Sequence, residues 1–434
     1  MASLVPADTA WMLVATALVL LMTPALAFFY GGLVRSKNAL NTMFMSFASL
    51  GVVGVLWAVA GYSLAFSPGS AWIGGTDHLF LQGVGLEPQG SIPHLLFMAF
   101  QGTFAIITAA LISGAVVERM RFGPYLVFIS GWVLAVYAPV CHWVWGGGWL
   151  AELGALDFAG GTVVHVNAGI AALVAARVLG PRKDWGRQAL LPHNVPFVLL
   201  GAALLWFGWT GFNGGSALAA DGVAVLAFVN TILAPAATLS AWMVIDLLRT
   251  GRVTAVGGAT GIVVGLVAVT PAAGFVGPMA ALAIGAIASI PSYYAILWCS
   301  RTRTDDSLDV AAAHGVGGLV GALLTGVFAR AVWGGAEGLI SGNPRQLLIQ
   351  AVGVLAALLY SGLVSLALLR AIALFTPLRT CDRVEGVGLD VTAHGEEAYS
   401  NGEGAILLLP DTVAADATAR VAALSPDRPQ EVRP

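Results

Sequence analysis

Two histidines in matching surroundings are the residues of this sequence whose types and spacing best suit chemistry. Asp157 lies eight residues before His165, and Asp306 lies eight residues before His314. A glycine follows each histidine at the fourth position. Each histidine lies in an apolar run long enough to cross a bilayer, where an ionisable side chain is costly and marks a candidate functional site. Either one alone is better explained as a hydrogen-bonded packing residue, but the shared frame favours a common function.

The composition indicates a chain that lies mostly in a lipid bilayer. Of 434 residues, 58% are hydrophobic and 10% are charged, whereas soluble domains carry about 25% charged residues. Cys141, Cys299 and Cys381 are far apart and follow neither zinc nor disulfide spacing. No nucleophile motif, metal cluster or phosphate loop is present, so we expect no enzyme, cofactor, metal site or nucleic-acid partner.

Hydropathy predicts eleven membrane-spanning segments, each of about 20 apolar residues. All should be helical, because only helices and closed barrels satisfy the backbone within lipid. We therefore predict an all-α membrane protein with a transmembrane domain over residues 1–375 and a tail over 376–434. The predicted segments are 10–33, 40–66, 94–117, 123–141, 158–179, 195–212, 222–248, 254–271, 274–299, 308–331 and 346–375.

Lysine and arginine predict the orientation of the chain. Before the tail, 12 basic residues follow odd-numbered segments, against only Arg330 and Arg345 after even-numbered ones. By the positive-inside rule the N-terminus is outside and the C-terminus is cytoplasmic. Residues 1–10 contain no lysine or arginine, so we expect the first segment to be retained rather than cleaved as a signal peptide. The 12 residues are Arg35, Lys37, Arg119, Arg121, Arg177, Arg182, Lys183, Arg187, Arg249, Arg252, Arg301 and Arg303.

Segments 1–5 and 6–10 read as two copies of one unit. The first and sixth segments each end with an aromatic residue shortly before a Gly-Gly pair, at Tyr30 and at Phe212. Because five spans is an odd number, the second copy must be inverted, a plan in which substrates bind near the midplane. His165 and His314 then approach the midplane from opposite sides, each about 10 Å deep. We expect the two rings to be able to touch.

A pore lined by two uncharged imidazoles offers hydrogen bonds but no fixed charge. Because burial disfavours the charged form, a cation should stall there while a small neutral molecule passes. This suits a solute that aromatic rings recruit as a cation and that crosses as its neutral base. The candidate rings, for each of which an interfacial aromatic belt is the alternative, are Phe100, Phe104, Trp145, Trp209 and Phe212.

Seven strings between the first segment and about Tyr399 together resemble the Amt/Mep/Rh ammonium transporters, specifically the bacterial Amt branch. The resemblance implies that NH4+ is recruited outside and deprotonated, and that NH3 crosses the pore with or without separate proton transfer. Methylammonium is the expected analogue. The strings are FYGGLVRSKN, FQGTFAIITAALISGAVVERMRF, HWVWGGGWL, LDFAGGTVVHVNAG, WFGWTGFNGGSA, DDSLDVAAAHGVGG and GLDVTAHGEEAY.

The resemblance implies roles for the central residues. His165 and His314 match the twin histidines of the pore, and Trp209 matches a further pore-lining residue. Phe104 and Phe212 match the two stacked phenylalanines that gate the outer entrance.

It also implies an outer recruitment site at Phe100, Phe104, Trp145 and Ser216, where ammonium meets aromatic faces and a hydroxyl. Asp157 matches a carboxylate near the outer vestibule, where its field helps cation binding without direct contact.

Both aspartates have a structural role predicted from position alone. A carboxylate at a helix start can cap free N–H groups and meets the positive end of the helix dipole. We expect Asp157 to cap the fifth segment and Asp306 the tenth. For Asp306, an ion pair with Arg301 or Arg303 is the alternative.

The tail begins near Thr376, and its first part is predicted to be an ordered surface lid supported by His394. Beyond about residue 410 the composition predicts disorder. The resemblance further implies a homotrimer coupled through the tail, a PII-type regulatory partner and a multi-pass location in the inner (plasma) membrane.

Two other function classes are to be weighed against transport. An ammonium receptor would use the same pore to signal, but receptors resembling this family usually carry an output domain, for which about 60 tail residues leave no room. An Rh-like gas channel would take a different substrate. The HWVWGGGWL string and the Amt-type tail argue against it.

Overall fold

The computed structural model describes residues 3–399, and nearly all of its ordered structure is helical. The α-helices are α1 (Pro6–Leu33), α2 (Ala39–Leu56), α3 (Tyr62–Phe66), α4 (His94–Ser113), α5 (Phe122–Trp132), α6 (Ala138–Trp145), α7 (Trp149–Leu153), α8 (Asn167–Leu179), α9 (Val195–Gly215), α10 (Gly222–Thr250), α11 (Ala255–Val269), α12 (Pro278–Ser300), α13 (Gly317–Phe328), α14 (Ala331–Gly334), α15 (Pro344–Ala373) and α16 (Asp382–Val387).

Short elements connect or extend these helices. Turns of π-helix occupy Trp57–Gly61, Val133–Tyr137, Gly161–Val166, Ala311–Val316 and Asp390–His394. Turns of 3-10 helix occupy Ser36–Asn38, Leu79–Leu81 and Leu339–Ser341. Strands β1 (Pro88–Gln89) and β2 (Ile92–Pro93) form an antiparallel hairpin.

Ten helical stretches within residues 3–399 are long and apolar enough to cross a membrane. One more apolar helix, α11, is shorter, because Pro271 directly follows its C-cap and lacks the N–H that a further turn would need. The prediction of an all-α, multi-pass membrane protein is confirmed. Each of the eleven predicted segments overlaps one of these stretches, while a count of eleven crossings and their sidedness stay predictions.

One boundary was predicted wrongly. The predicted segment 123–141 stops before the string HWVWGGG, but the helix continues to Trp145, so His142 and Trp145 lie in the last turns of α6. The helix ends only at the three glycines that follow, of which Gly147 has a φ of 84°. Because the apolar run was taken to stop at the histidine, hydropathy placed the end one turn too early.

The first helices of the two predicted repeats, α1 and α9, pack along their length. Glycines on α9 make this close approach possible. A Cβ at Gly211 would lie 2.7 Å from Leu18 Cβ, and one at Gly201 would overlap the backbone of Phe29. Small residues permit such backbone contact between membrane helices, so these two helices form one wall of the bundle.

Buried charges are concentrated at one end of the bundle, which we call the basic face; the other end, with Trp145 and Ser216, is the aromatic face. The carboxylate of Glu118 accepts ion pairs from Arg35 at 3.0 Å and from Arg182 at 2.9 Å. Arg182 also pairs with Asp305 at 2.8 Å. Glu118 has a φ of 67°, in the left-handed region that non-glycine residues rarely adopt. Its ion pairs hold it there and lock three loops together.

Residues 376–399 of the tail pack on the basic face. The carboxylate of Asp390 accepts hydrogen bonds from the backbone N–H groups of Leu40 and Asn41 at 3.0 and 2.7 Å, at the N-terminus of α2. His394 Nε2 lies 2.9 Å from the Asn41 amide, and the His394 ring lies edge-on to Phe122. His394 therefore attaches the tail to the bundle. The disorder predicted beyond about residue 410 lies outside the described residues.

Replacing Glu118 with glutamine should lower the midpoint of thermal unfolding of the detergent-solubilised protein. The change leaves Arg35 and Arg182 without their shared anion, and removing one partner of a buried ion pair costs about 3–5 kcal/mol. Glu152→Gln is the matched control, because this exposed carboxylate has no ion pair within the described residues. Equal midpoints for the two variants would contradict the prediction.

The stabilisation by Glu118 should also depend on pH. Burial alone would raise the pKa of Glu118, but Arg182 and Arg35 outweigh burial and lower it from 4.5 to about 2. A depressed folded-state pKa stabilises the fold above the unfolded-state value of 4.5, and this stabilisation is lost as the pH falls through about 2. The difference in unfolding midpoint between wild type and Glu118→Gln should therefore narrow between these two values. A difference that stays constant down to pH 2 would refute this assignment.

Candidate functional site

The rings of His165 and His314 meet near the centre of the bundle. Their Nδ1 atoms are 3.2 Å apart, and the ring centroids are 5.3 Å apart with the planes at 26°. Both side chains are buried, at 1% and 3% relative exposure. In an Nδ1–Nδ1 hydrogen bond one ring donates and the other accepts, so the rings share a single proton between them.

The glycines four residues after each histidine explain how the rings come so close. Gly169 packs on the backbone of Gly315, with its Cβ position 3.3 Å from the carbonyl carbon of His314. The equivalent Gly318 has its Cβ position 2.8 Å from Gly161 O and 3.0 Å from His165 Cβ. Each histidine helix thus presents its glycine to the other histidine. A side chain at either position would force the two helices apart.

Each histidine lies in a π-helical turn that follows its aspartate. The Asp157 carboxylate accepts four backbone hydrogen bonds at 2.6–3.0 Å, from residues 160–163. Asp306 accepts one, from Ala311 N at 2.6 Å. Asp306 forms no ion pair within the described residues, so its predicted alternative, pairing with Arg301 or Arg303, is not what the structure has. Both carboxylates cap the turns that carry the histidines.

A narrow cavity of about 10 Å³ lies between the histidines and the surrounding apolar side chains. This is about the volume that one water-sized molecule requires. His165 Nε2 is buried without a hydrogen-bond partner in the described part of the chain. The cavity is lined by Met22, Leu26, Phe29, Ile107, Leu111, Val164, His165, Leu205, Trp209, Phe212, Val263 and His314.

Stacked aromatic rings close this cavity towards the aromatic face. Trp209 lies parallel to His165, with centroids 5.3 Å apart and planes at 22°, and its Nε1–H donates to Thr270 Oγ1 at 2.9 Å. Phe104 and Phe212 stack with centroids 4.1 Å apart and planes at 25°. Both phenylalanines are buried, so a solute that reaches the histidines from this side must displace them.

The remaining predicted site residues lie beyond the stacked phenylalanines. Phe100 packs on Phe104 at 4.9 Å, and Trp145 meets Phe104 edge-on at 5.9 Å. Trp145 Nε1–H already donates to the carbonyl of Asp157 at 2.8 Å. The hydroxyl of Ser216 donates to Phe212 O at 2.8 Å, which leaves its oxygen lone pairs free to accept. Aromatic faces and a hydroxyl oxygen suit a small cation.

A wider cavity of about 170 Å³ adjoins His314 on the side of the basic face. Tyr30, Ser307, Asp309 and Ala313 contribute to its walls. Phenylalanines thus close the passage on one side of the histidines, and a roomier, more polar space adjoins the other. Within residues 3–399 no group of three histidine, cysteine or acidic side chains could hold a metal ion.

Several features of the site had no signal in the sequence. Thr270 was not singled out, because a lone threonine before a proline gives no sign that it will meet an indole. The π-helical form of both histidine turns also has no pattern of its own, although such turns occur often at functional sites. His142 also had no signal, because hydropathy placed it one residue beyond the end of segment 123–141.

Comparison with known proteins identifies the family. The sequence model of the Ammonium Transporter Family matches residues 10–399. An ammonium transporter of Bacillus subtilis is 47% identical over 400 residues, covering 91% of this chain and 98% of the relative. Mep2 of Saccharomyces cerevisiae has a TM-score of 0.85 at 37% identity over 93% of each chain. A structure titled Sensor Amt Protein has a TM-score of 0.84 at 32% identity, over 89% of this chain and 98% of that one. The chain belongs to the ammonium transporter family.

Proposed function

We propose that this chain transports ammonium across a membrane by recruiting NH4+ at the aromatic face and conducting NH3 past the side chains of His165 and His314. The observation that carries this proposal is the contact of the two rings inside a narrow, otherwise apolar cavity. One ring keeps a free Nε2–H and the other keeps a free Nε2 lone pair, because they share one proton through their Nδ1 atoms. NH3 is small and both donates and accepts hydrogen bonds, so it fits this pair.

Recruitment of the cation rests on Phe100, Phe104, Trp145 and Ser216. Since the Trp145 N–H is already used, its ring face is what remains for a cation. The Ser216 oxygen accepts a hydrogen bond from NH4+ while its own proton stays on Phe212 O. Cation–π contacts of this kind are worth about 0.5–2 kcal/mol.

NH4+ then gives its proton to solvent water on the aromatic-face side of the Phe104–Phe212 stack, and NH3 moves on. Beyond the stack, none of the described residues that line the cavity is acidic. Asp157 is saturated by four backbone N–H groups, so its charge helps the cation only through its field. Membrane current on addition of ammonium measures net charge movement: no current means that NH3 crosses without its proton, and a current means that one positive charge crosses with each NH3.

We infer the wider setting of the transporter from its charges, from the packing of its tail and from the family resemblance. Most lysines and arginines before the tail follow odd-numbered segments, so by the positive-inside rule we take the basic face to be cytoplasmic. On this inference the chain crosses the inner (plasma) membrane eleven times. The tail packs where a PII-type regulator and neighbouring subunits of a homotrimer would meet the exit of the passage.

An ammonium sensor that uses the same passage is the alternative. The likeness to the structure titled Sensor Amt Protein favours it, at 32% identity. Transporters of the family are closer, at 47% for the Bacillus subtilis protein. Uptake by the purified chain supports transport, whereas saturable ammonium binding without uptake would support sensing.

His165→Ala and His314→Ala should each slow methylammonium uptake by the full-length protein in liposomes roughly 10- to 100-fold. Each change leaves the cavity with one imidazole and breaks the ring–ring hydrogen bond, and an unsatisfied buried polar group costs about 1–3 kcal/mol. His78→Ala is the control, because this histidine is bonded to Gln82 O in a loop far along the chain from the cavity residues. Uptake at the wild-type rate in both pore variants would refute the proposed passage.

Trp145→Ala should raise the KM for methylammonium roughly 2- to 30-fold with little change in kcat, because the loss of a cation–π contact weakens recruitment only. The control is Trp298→Ala, which removes a tryptophan that is 58% exposed on α12. An unchanged KM for Trp145→Ala would show that this ring has no part in recruitment.

A further inference from the structure

His142 is a buried histidine that the transport mechanism does not use. It lies on α6 three residues before Trp145 and has 2% relative exposure. Both ring nitrogens face backbone carbonyl oxygens of the preceding segment: Nδ1 lies 2.9 Å from Ala65 O and Nε2 lies 2.8 Å from Ser70 O. A neutral ring donates to one of these oxygens and an imidazolium donates to both. In either state the ring donates at least one hydrogen bond to residues 65–75, which run from the end of α3 into the following loop.

The loop that holds His142 is itself braced. Gly69 and Gly74 form an isolated antiparallel bridge that ties its two sides together. The fit around the ring is close, since a Cβ at Gly146 would lie 2.7 Å from His142 Nδ1. A ring that is hydrogen-bonded to a braced loop and closely surrounded is a fixed point for the end of α6.

The backbone of His142 organises the glycine turn that follows Trp145. Its carbonyl accepts hydrogen bonds from Gly146 N at 3.0 Å and from Gly148 N at 2.9 Å. Trp143 Nε1–H adds a bond to Trp72 O at 2.7 Å, in the same loop. His142 therefore constrains the chain on both sides of Trp145. Its ring fixes the helix before Trp145, and its carbonyl group fixes the glycine turn after Trp145.

We propose that His142 is a positioning residue for the recruitment site at the aromatic face. It sets the place of the Trp145 ring by fixing the end of α6 to residues 65–75. This inference rests on the proposed function, in which Trp145 recruits ammonium. His142 does not touch the cation. Its effect appears in the KM of transport and passes through Trp145.

A double-mutant cycle in liposomes tests the proposal, with methylammonium as the transported probe. His142→Phe fills the space but has no hydrogen-bond donor, so it should raise KM about 10-fold and change kcat by no more than about twofold. His142→Gln keeps a donor, so its KM should lie between the values for His142→Phe and the wild type. In the Trp145→Ala background, His142→Phe should add less than about twofold, because the ring that it positions is gone. His78→Phe is the matched control and should leave KM unchanged.

Three results would overturn the proposal. They are an additive effect of His142→Phe in the Trp145→Ala background, a change confined to kcat, and an equal KM for His142→Gln and His142→Phe. His142→Gln also guards against a failure of the phenylalanine variant to fold.

A second measurement separates this proposal from the proposed function. Hydrogen exchange of the backbone amides in residues 142–149 should rise in His142→Phe and stay at the wild-type level in residues 311–316. Unchanged exchange in residues 142–149 overturns the positioning role whether or not the protein transports. Absence of methylammonium uptake by the wild type instead counts against the proposed function, and the exchange result still decides the role of His142.

Discussion

The backbone contact between the two histidine helices is the constraint on which the rest of the site depends. The rings can meet only if both helices lack side chains at the crossing, and Gly169 and Gly318 provide this on the two sides. By capping the first turn of each helix, the aspartates fix the rotation of the helix about its axis, so that both imidazoles point into one cavity. The same spacing in both halves therefore combines three roles: the aspartate caps the helix, the histidine supplies the ring in the cavity, and the glycine provides the contact between the helices.

The bundle keeps its charges away from the cavity between the rings. Glu118, Arg182 and Asp305 are buried, but they pair with one another at the basic face. Asp157 lies closer to the cavity and is satisfied by backbone N–H groups. Burying a charge is costly unless it is paired or hydrogen-bonded. Because these groups are compensated locally, the cavity between the rings can remain uncharged, and an uncharged cavity favours a neutral solute.

Sequence alone predicted most of the fold, because lipid imposes a strong rule on the length and polarity of helices. The motif strings predicted the family by resemblance. The repeated spacing of aspartate, histidine and glycine predicted that His165 and His314 meet, because it places both rings at the same depth from opposite sides. What could not be predicted depended on contacts between segments far apart in the chain. The bond from Trp209 to Thr270 is an example, because neither apolar periodicity nor spacing encodes it. The ion pairs of Glu118 with Arg35 and Arg182 could not be predicted either. The twelve basic residues predicted the orientation of the chain in the membrane, but nothing in the sequence indicated which of them are buried.

Asp157 contacts both the proposed recruitment site and the turn that carries His165. Its carbonyl oxygen accepts the Trp145 indole N–H, while its carboxylate caps the turn that carries His165. A shift of this residue would therefore move the Trp145 ring and His165 together. On the proposed function, the distance between the place where the cation binds and the place where NH3 passes depends on Asp157 as well as on His142 and on the packing of the helices. Such coupling fits a site in which losing a proton and entering the passage are successive steps at neighbouring positions, since both steps depend on the same geometry.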